Sequence, residues 1–242
     1  MANAYLAEIK AEVLKLSRMP EFAIPTLILP VMFFTLFGVI IPGSRDNAAY
    51  LLSTFGVFAV MGPALFGFGA GVAQERERGW LTLKRAVPAP AAALLVAKTT
   101  ATVLIASVSL GAIYAVAAFA AGVELSPQVW LGLLLVHVLS AIPFVLLGLA
   151  LGFVFGANAA VAVANIAYLG MAVLGGLWMP ISVFPKIMGQ IAQVLPSYHL
   201  AEIALGVSGA GGETALPGHI LAALAITAIA AGLALLAWAR QR

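Results

Sequence analysis

Cysteine is absent from this 242-residue chain, and charged side chains are scarce. Without cysteine there is no disulfide framework, no thiolate nucleophile and no cysteine-based metal site. Charged residues make up only 9% of the chain, whereas 63% of the residues are hydrophobic and the mean hydropathy is +1.10. A soluble core of this size cannot bury so much apolar surface. The composition therefore predicts a membrane protein.

Motifs for nucleotide and metal chemistry are missing as well. No G-x-x-x-x-G-K-[ST] phosphate loop occurs, so the chain has no ATPase site of that kind. The histidines at positions 137, 199 and 219 stand alone, without H-E-x-x-H spacing or a neighbouring carboxylate cluster. We therefore expect no metal site.

Long apolar runs are what the sequence has instead. A helix needs about 20 mostly apolar residues to cross a bilayer. Six runs qualify, at residues 22–41, 49–73, 94–121, 129–155, 159–179 and 217–239. Continuous runs exclude a transmembrane barrel, whose strands alternate apolar and polar residues. We predict an all-α polytopic membrane protein with six transmembrane helices in one domain, residues 1–242.

Basic residues divide unevenly between the two predicted faces of the membrane. One face has only Arg45 and Lys186. The other face carries Lys10, Lys15, Arg18, Arg76, Arg78, Lys84, Arg85, Lys98, Arg240 and Arg242. Because basic residues are retained on the cytoplasmic side, we expect both termini to be cytoplasmic. The same asymmetry explains the net charge of +3, so we expect no nucleic acid partner.

The N-terminal segment, residues 4–18, has the pattern of an amphipathic helix. One helical stripe contains Leu6, Ile9, Val13 and Leu16, and the opposite side contains Glu8, Glu12 and Lys15. An amphipathic helix with basic residues just before a span is typical of the headgroup plane, with its apolar stripe in the lipid. The alternative is a helix packed on a partner protein.

Residues 74–98 hold a third of all 21 charges, namely Glu75, Arg76, Glu77, Arg78, Lys84, Arg85 and Lys98. A charge at the bilayer centre costs at least about 2.5 to 3.5 kcal/mol. We therefore expect this segment to lie in water between the second and third spans, where a soluble partner binds. The alternative is a solvated loop that only fixes the topology.

Two further regions have patterns of structural interest. Gly148, Gly152 and Gly156 recur every four residues in the fourth span and predict a smooth ridge for close helix packing, either within one subunit or at a subunit interface or moving contact. The outer region, residues 180–216, contains two apolar stretches at 183–195 and 198–207. Their length predicts a re-entrant or interfacial helical hairpin that caps the outer end of a pathway.

Four residues are candidates for an outer gate or substrate path. Glu202 is a lone carboxylate in an apolar outer helix, so it either bonds to helix-end amides or lines an exit. The other three are Phe55, Phe58 and Tyr198. For the phenylalanines of the first two spans, a lipid-facing position is the commoner alternative.

A protease interpretation is tempting but weak. Residues 206–209 spell G-x-S-G and His219 follows, which resembles the intramembrane serine proteases of the rhomboid type. However, Ser208 is expected in a Gly-rich loop, and His219 at the mouth of the last span, where fixing it against Ser208 is difficult. We expect a flexible outer turn here.

The order of these parts resembles the permeases of the ABC-2 family, which are bacterial ABC exporters. An interfacial helix precedes six spans, Q-E-R-E-R-G stands at 74–79, and K-R-A-V-P-A-P follows at 84–90. The segments G-G-L-W-M-P at 175–180 and L-P-S-Y-H-L at 195–200 resemble the outer hairpin of the drug-exporter branch. Trp80 stands where the family usually shows threonine.

The resemblance implies a mechanism and partners. Two permeases, here expected as a homodimer, work with two ABC ATPase subunits that bind ATP and Mg; this chain itself binds no cofactor. Residues 81–93 would form a coupling helix with Lys84 and Arg85 as polar contacts to the ATPase. Glu75, Arg76, Glu77 and Arg78 would position that helix by charge pairing.

The resemblance also implies a direction and a class of substrate. The substrate would be a drug, a lipid or a similar amphipathic compound, exported across the bacterial cytoplasmic membrane. Export of a lipid-linked polysaccharide is the alternative, because related permeases share this architecture.

Overall fold

The computed structural model describes residues 2–17, 20–80, 91–211 and 215–241, and all regular elements in these ranges are helical. The first half of the chain contains α1 (Ala2–Ser17), α2 (Pro20–Thr35) with a π-helical continuation (Leu36–Ile40), a 3-10 turn (Ser44–Asn47), α3 (Ala48–Leu65), a second π-helical stretch (Phe66–Ala70) and α4 (Gly71–Glu77). The second half contains α5 (Ala91–Phe119), α6 (Pro127–Leu139), α7 (Ala141–Val154), α8 (Ala157–Leu174), a 3-10 turn (Ile181–Val183), α9 (Lys186–Ala192), α10 (Pro196–Ser208) and α11 (Leu216–Ala239).

The prediction of an all-α polytopic membrane protein is confirmed. Within the described ranges, five stretches are long and apolar enough to cross a bilayer: Arg45–Glu77, Val96–Phe119, Pro127–Val154, Ala157–Leu174 and Leu216–Ala239. The first predicted span corresponds to a shorter apolar helix, Thr26–Ile40. The count of six spans therefore stays a prediction.

The predicted C-terminal boundary of the fifth span is wrong. We expected a helix to residue 179, but α8 ends at Leu174. Gly175 and Gly176 follow, and Gly176 has a φ of +72°, in the left-handed region that favours glycine. Trp178, which we expected near the end of the span, lies instead in the irregular segment beyond this turn.

Helix α3 forms the centre of the bundle. All residues from 51 to 65 are buried, and the helix packs against α2, α5, α7 and α10. Small residues on α3 let its neighbours come close: a Cβ atom added to Gly56 would lie 2.1 Å from the His137 ring of α6. A helix surrounded in this way has no face left for lipid, which explains why it is apolar all round.

Prolines coincide with the irregular points of the long helices. Pro63 lies inside α3, and the chain changes to π geometry three residues later, at Phe66. Between α6 and α7, Pro143 has no amide hydrogen to donate to the carbonyl of Leu139, where α6 ends. The long apolar runs are therefore helical throughout but are not straight rods.

The outer region contains two short helices, as its apolar stretches predict, but their bounds differ. The first covers only seven residues, Lys186–Ala192, and the second covers Pro196–Ser208. Pro196 is the first residue of α10, where its missing amide hydrogen costs nothing. Helix α10 packs against α3, α6 and α11. Ser208 is thus the last residue of a helix and not part of a loop.

Candidate functional site

Four charged side chains form a buried ion cluster where α1, α4 and α5 meet. Lys98 Nζ lies 2.7 Å from Glu75 Oε1 and 3.4 Å from Glu12 Oε1. Lys15 Nζ lies 2.5 Å from the same Glu75 oxygen and 2.6 Å from Glu12 Oε2. We call Glu12, Lys15, Glu75 and Lys98 the ion cluster. It joins the N-terminal helix to the end of one span and the start of the next.

The ion cluster corrects part of the sequence-based prediction. We expected the segment 74–98 to lie in water, but Glu75 and Lys98 are 9% and 4% exposed, respectively. The helices extend further than predicted, because α4 runs to Glu77 and α5 begins at Ala91. Two carboxylates and two ammonium groups balance one another, which is the condition for burying charge at acceptable cost.

The polar face of α1 therefore points into the protein. Glu12 is only 4% exposed, whereas Leu6 on the apolar stripe is 65% exposed. Burial lowers the pKa of Lys15, but the nearby Glu75 and Glu12 carboxylates outweigh that effect and raise it above its ordinary value. Leu6 is therefore free to contact lipid, whereas Ile9 and Val13 of the apolar stripe are half-buried. The interfacial position of α1 stays a prediction.

Arg76 and Glu77 hold the junction between α7 and α8. The Arg76 guanidinium donates hydrogen bonds to the carbonyl oxygens of Phe153 and Phe155, the second at 2.8 Å. Glu77 Oε1 accepts a hydrogen bond of 2.9 Å from the amide of Ala157, the first residue of α8. We call these five residues the α7–α8 joint.

The signs of the two charges match the ends of the helices that they contact. The C-terminal end of a helix carries partial negative charge and the N-terminal end partial positive charge. Arg76 lies at the end of α7 and Glu77 at the start of α8, so both contacts are favourable. Gly156 leaves the space that Glu77 needs, because a Cβ atom there would lie 2.7 Å from Glu77 Oε1.

Beyond the joint, the chain turns outward into an exposed tip. Arg78 is exposed, Gly79 has a φ of +72°, and Trp80 is 53% exposed. Lys84 and Arg85 lie in residues 81–90, outside the described ranges, as does most of the predicted coupling helix. Of the six predicted coupling residues, three thus bond to other parts of the same chain and Arg78 is exposed.

Comparison with known proteins gives the family. A family model for ABC-2 type transporters matches residues 3–207. The chain belongs to the ABC-2 type transporter family. It is also 32% identical over 208 residues to YvfS of Bacillus subtilis (strain 168), named as a transport permease, covering 84% of this chain and 85% of that protein. An ABC-2 permease has an ABC ATPase subunit as its general partner.

The glycine ridge of the permease packs against a π-helical stretch of the same chain. A Cβ atom on Gly148 would lie 2.9 Å from the Ala64 carbonyl oxygen, and one on Gly152 would lie 2.7 Å from that of Phe68. Gly156, the third member, lies beside Glu77. The ridge therefore brings α7 into backbone contact with the central helix within one subunit.

Phe55 and Phe58 lie inside an aromatic core and do not face lipid. Both rings are fully buried, so the lipid-facing alternative is wrong for these two residues. Phe58 stacks on Tyr168 of α8 with ring centroids 4.6 Å apart and meets Trp178 edge-on at 5.7 Å. Phe55 contacts Phe58 at 5.9 Å. These rings fill the space between α3 and α8 that a path along them would need.

Glu202 and Tyr198 lie one helical turn apart on α10. Burial raises the pKa of Glu202, and burial together with the Glu202 carboxylate raises that of Tyr198. Tyr198 also contacts both rings of a histidine pair. Tyr198 and Glu202 are therefore neighbours on α10.

Two of the histidines do not stand alone as we expected. His199 Nδ1 lies 3.0 Å from His219 Nδ1, and His199 Nε2 donates to the Gln193 carbonyl oxygen at 2.8 Å. His137 bonds to Tyr114 and to the Ser53 carbonyl oxygen. Within the described ranges, no group of three or more His, Asp or Glu side chains could hold a metal ion.

The serine of the G-x-S-G motif and His219 are engaged elsewhere. The Ser208 hydroxyl lies 2.8 Å from that of Ser53 and donates to the Leu205 carbonyl oxygen at 3.1 Å. His219 pairs with His199. A nucleophilic serine needs a base within hydrogen-bond reach, and the bonds made by Ser208 and His219 give no such pair.

Two members of the ion cluster and one contact of the joint were not predicted from the sequence. Glu12 and Lys15 were assigned to the polar face of an interfacial helix, although their spacing of three residues already allowed a pair. Gln241 of the C-terminal segment donates to the Phe153 carbonyl oxygen at 3.1 Å. No sequence signal points to that contact.

Proposed function

We propose that this permease is the membrane subunit of an ATP-driven exporter that moves a hydrophobic or amphipathic compound out across the cytoplasmic membrane. Two copies of the chain act with two ATPase subunits, which bind ATP and Mg. Both termini and the exposed tip face the cytoplasm. ATP binding draws the ATPase subunits together and shifts the permease pair between inward-open and outward-open states.

The exposure of the tip residues is the observation that best supports this function. Arg78 and Trp80 are exposed just beyond the end of α4, whose charges Glu75, Arg76 and Glu77 all bond to other parts of the chain. Arginine and tryptophan are the side chains most often found at the energetic centre of protein interfaces. With Lys84 and Arg85 following in the same segment, the tip has the side chains that contact with an ATPase subunit requires.

The aromatic core supports a small amphipathic substrate over a polysaccharide. A long glycan needs a continuous channel, whereas Phe58 packs directly against Tyr168 and Trp178, with Phe55 against Phe58. Within the described ranges, the Tyr168 hydroxyl and the Trp178 Nε1 are buried without a hydrogen-bond partner. A compound with apolar and polar parts that parted these rings would find both kinds of contact.

A transport assay tests this function. The permease and the ATPase that co-purifies with it are reconstituted in vesicles, and ATP-dependent movement of a fluorescent phospholipid analogue and of a hydrophobic cationic dye is measured. We expect movement of at least one probe with ATP and Mg and none with ATP alone. Movement that is independent of nucleotide, or the absence of any co-purifying ATPase, would contradict the proposal.

A further inference from the structure

We propose that Arg76 and Glu77 are positioning residues that make the α7–α8 joint follow the exposed tip. This inference rests on the proposed function and deepens it, because it assigns a route by which the ATPase reaches the helices. The sequence alone favours a different role, in which these charges orient the coupling helix. In the structure their partners are the ends of two other helices.

The route begins with the position of the two residues in the chain. Arg76 and Glu77 directly precede Arg78, so the helix end that carries them must move when the tip is displaced. Their contacts are directional: Arg76 bonds to two carbonyl groups at the end of α7, and Glu77 bonds to the first amide of α8. Pulling on the tip therefore pulls on both helix ends at once.

The contacts of α7 and of Gly156 beside the joint are too close to absorb such a movement. Gly152 lies in α7, where even a methyl group would lie within 2.7 Å of the Phe68 carbonyl oxygen. At the joint itself, Gly156 leaves only enough room for the Glu77 carboxylate. Closely packed interfaces shift between discrete arrangements and do not deform continuously.

The route ends at the aromatic core. Helix α8 begins at the joint and carries Tyr168, which stacks on Phe58 of the central helix at 4.6 Å. A tilt of α8 about the joint would separate these rings. The joint thus connects the tip to the rings that close the space between α3 and α8.

The ion cluster does not serve this route. Glu75 bonds to Lys15 and Lys98, which belong to α1 and α5, and neither helix takes part in the joint. Adjacent residues of one motif therefore have separate partners: Glu75 connects the helix end to α1 and α5, while Arg76 and Glu77 connect it to the ends of α7 and α8.

The absence of cysteine makes the test direct. A single cysteine at Asn158, an exposed residue in the first turn of α8, carries an environment-sensitive fluorophore, and a second series carries it at Arg78 in the tip. The complex with the ATPase is exposed to a non-hydrolysable ATP analogue with Mg. Each reporter is compared in the parent chain, in Arg76→Ala/Glu77→Ala, and in the distant control Glu124→Ala.

We expect both reporters to respond in the parent chain and in the control. In the double variant the reporter at 78 should still respond, while the response at 158 falls by about threefold or more. Glu77→Gln keeps an oxygen acceptor for the amide of Ala157 and should restore most of the response that Glu77→Ala loses. A purely structural role would not separate the two reporters in this way.

Two results would overturn the inference. An undiminished response at 158 in the double variant, with the response at 78 intact, would show that α8 moves without the joint. No response at either position in the parent chain would overturn the proposed function and this inference with it. Should the double variant fail to assemble, Glu77→Ala alone, which leaves Arg76 in place, is decisive by the same comparison.

Discussion

Lys98 Nζ and Glu75 Oε1 lie 2.7 Å apart, and this contact ties the start of α5 to the end of α4. Lys15 and Glu12 of the N-terminal helix complete the cluster around it. The exposed tip lies between Glu75 and Lys98 in the sequence, so the ion pair joins the two helices on either side of the tip.

Removing one partner of this pair should destabilise the permease. Lys98→Met leaves the carboxylates of Glu12 and Glu75 with only one ammonium group, so the apparent unfolding free energy should fall by about 3 to 5 kcal/mol. The matched control is Lys186→Met, at an exposed position. Thermal unfolding in detergent measures both variants, and equal midpoints for the two would contradict the role of the cluster.

Restoring the charge balance should recover part of the loss. The double variant Glu75→Gln/Lys98→Met removes one charge of each sign, so it should be more stable than Lys98→Met alone. The same thermal unfolding measurement checks it. A double variant as unstable as the sum of the single ones would show that the two side chains act independently.

The glycine ridge should tolerate no methyl group at its centre. Gly152→Ala places a Cβ atom 2.7 Å from the Phe68 carbonyl oxygen, so we expect a loss of about 1 to 3 kcal/mol from overpacking. Gly170→Ala on α8 is the matched control, because no atom lies within 4 Å of the added carbon. That control should be neutral or slightly stabilising, since alanine favours a helix.

If Gly152→Ala were no less stable than Gly170→Ala, the contact between α7 and the π-helical stretch would be looser than the 2.7 Å distance implies. Thermal unfolding of both variants in the same detergent makes the comparison. Transport by any stable Gly152→Ala protein would then show whether the ridge also moves during the cycle.

Ser208 should prove dispensable for transport. Ser208→Ala removes the hydrogen bond to Ser53, so a stability change of about 1 kcal/mol is expected and transport should continue. Proteolysis of a casein substrate by the purified permease serves as the second measurement, and none is expected from either form. Loss of a proteolytic activity in Ser208→Ala would restore the protease interpretation.

The Glu202 carboxyl should make stability depend on pH. Burial raises its pKa above the ordinary value of 4.5, so the folded state favours the protonated form. Its stabilising contribution is therefore complete below 4.5 and is lost as the pH rises through the higher folded value. Glu202→Gln should be more stable than the parent at neutral pH, and this advantage should fade in acid.

The exposed Glu124→Gln is the control for this pH dependence. Unfolding midpoints at neutral and at acidic pH measure it. A Glu202→Gln advantage that is the same at both pH values would contradict a titration of Glu202 as its cause.

Composition and long apolar runs were sufficient to predict the fold class. Only helices and closed barrels can span a bilayer, and barrel strands alternate apolar and polar residues. Continuous apolar runs therefore indicate transmembrane helices. The ends of the helices were less predictable. Apolar residues continue past Leu174 to Met179, and it is the left-handed turn at Gly176 that ends the helix, a conformation that glycine permits but does not require.

The sequence indicated where the charges of the candidate site lie along the chain but not which partners they contact. A run of charges beside a span indicates water, because pairing between distant segments cannot be seen in one sequence. Glu75 is buried only because Lys15 and Lys98 reach it from other helices. Likewise, the sequence around Phe55 and Phe58 fits a lipid-facing position as well as a path-lining one. Only the tertiary structure shows that both rings lie in the core.

We propose that an ATPase subunit binds the exposed tip and the residues that follow it in the sequence, including Lys84 and Arg85. The most direct measurement compares Lys84→Glu/Arg85→Glu with Arg45→Glu, an exposed arginine on the predicted opposite face. Recovery of the ATPase on the tagged permease and ATP hydrolysis by the recovered complex are measured for both. We expect loss of recovery and hydrolysis for Lys84→Glu/Arg85→Glu alone; equal recovery and hydrolysis in both variants would show that the ATPase does not bind through these residues.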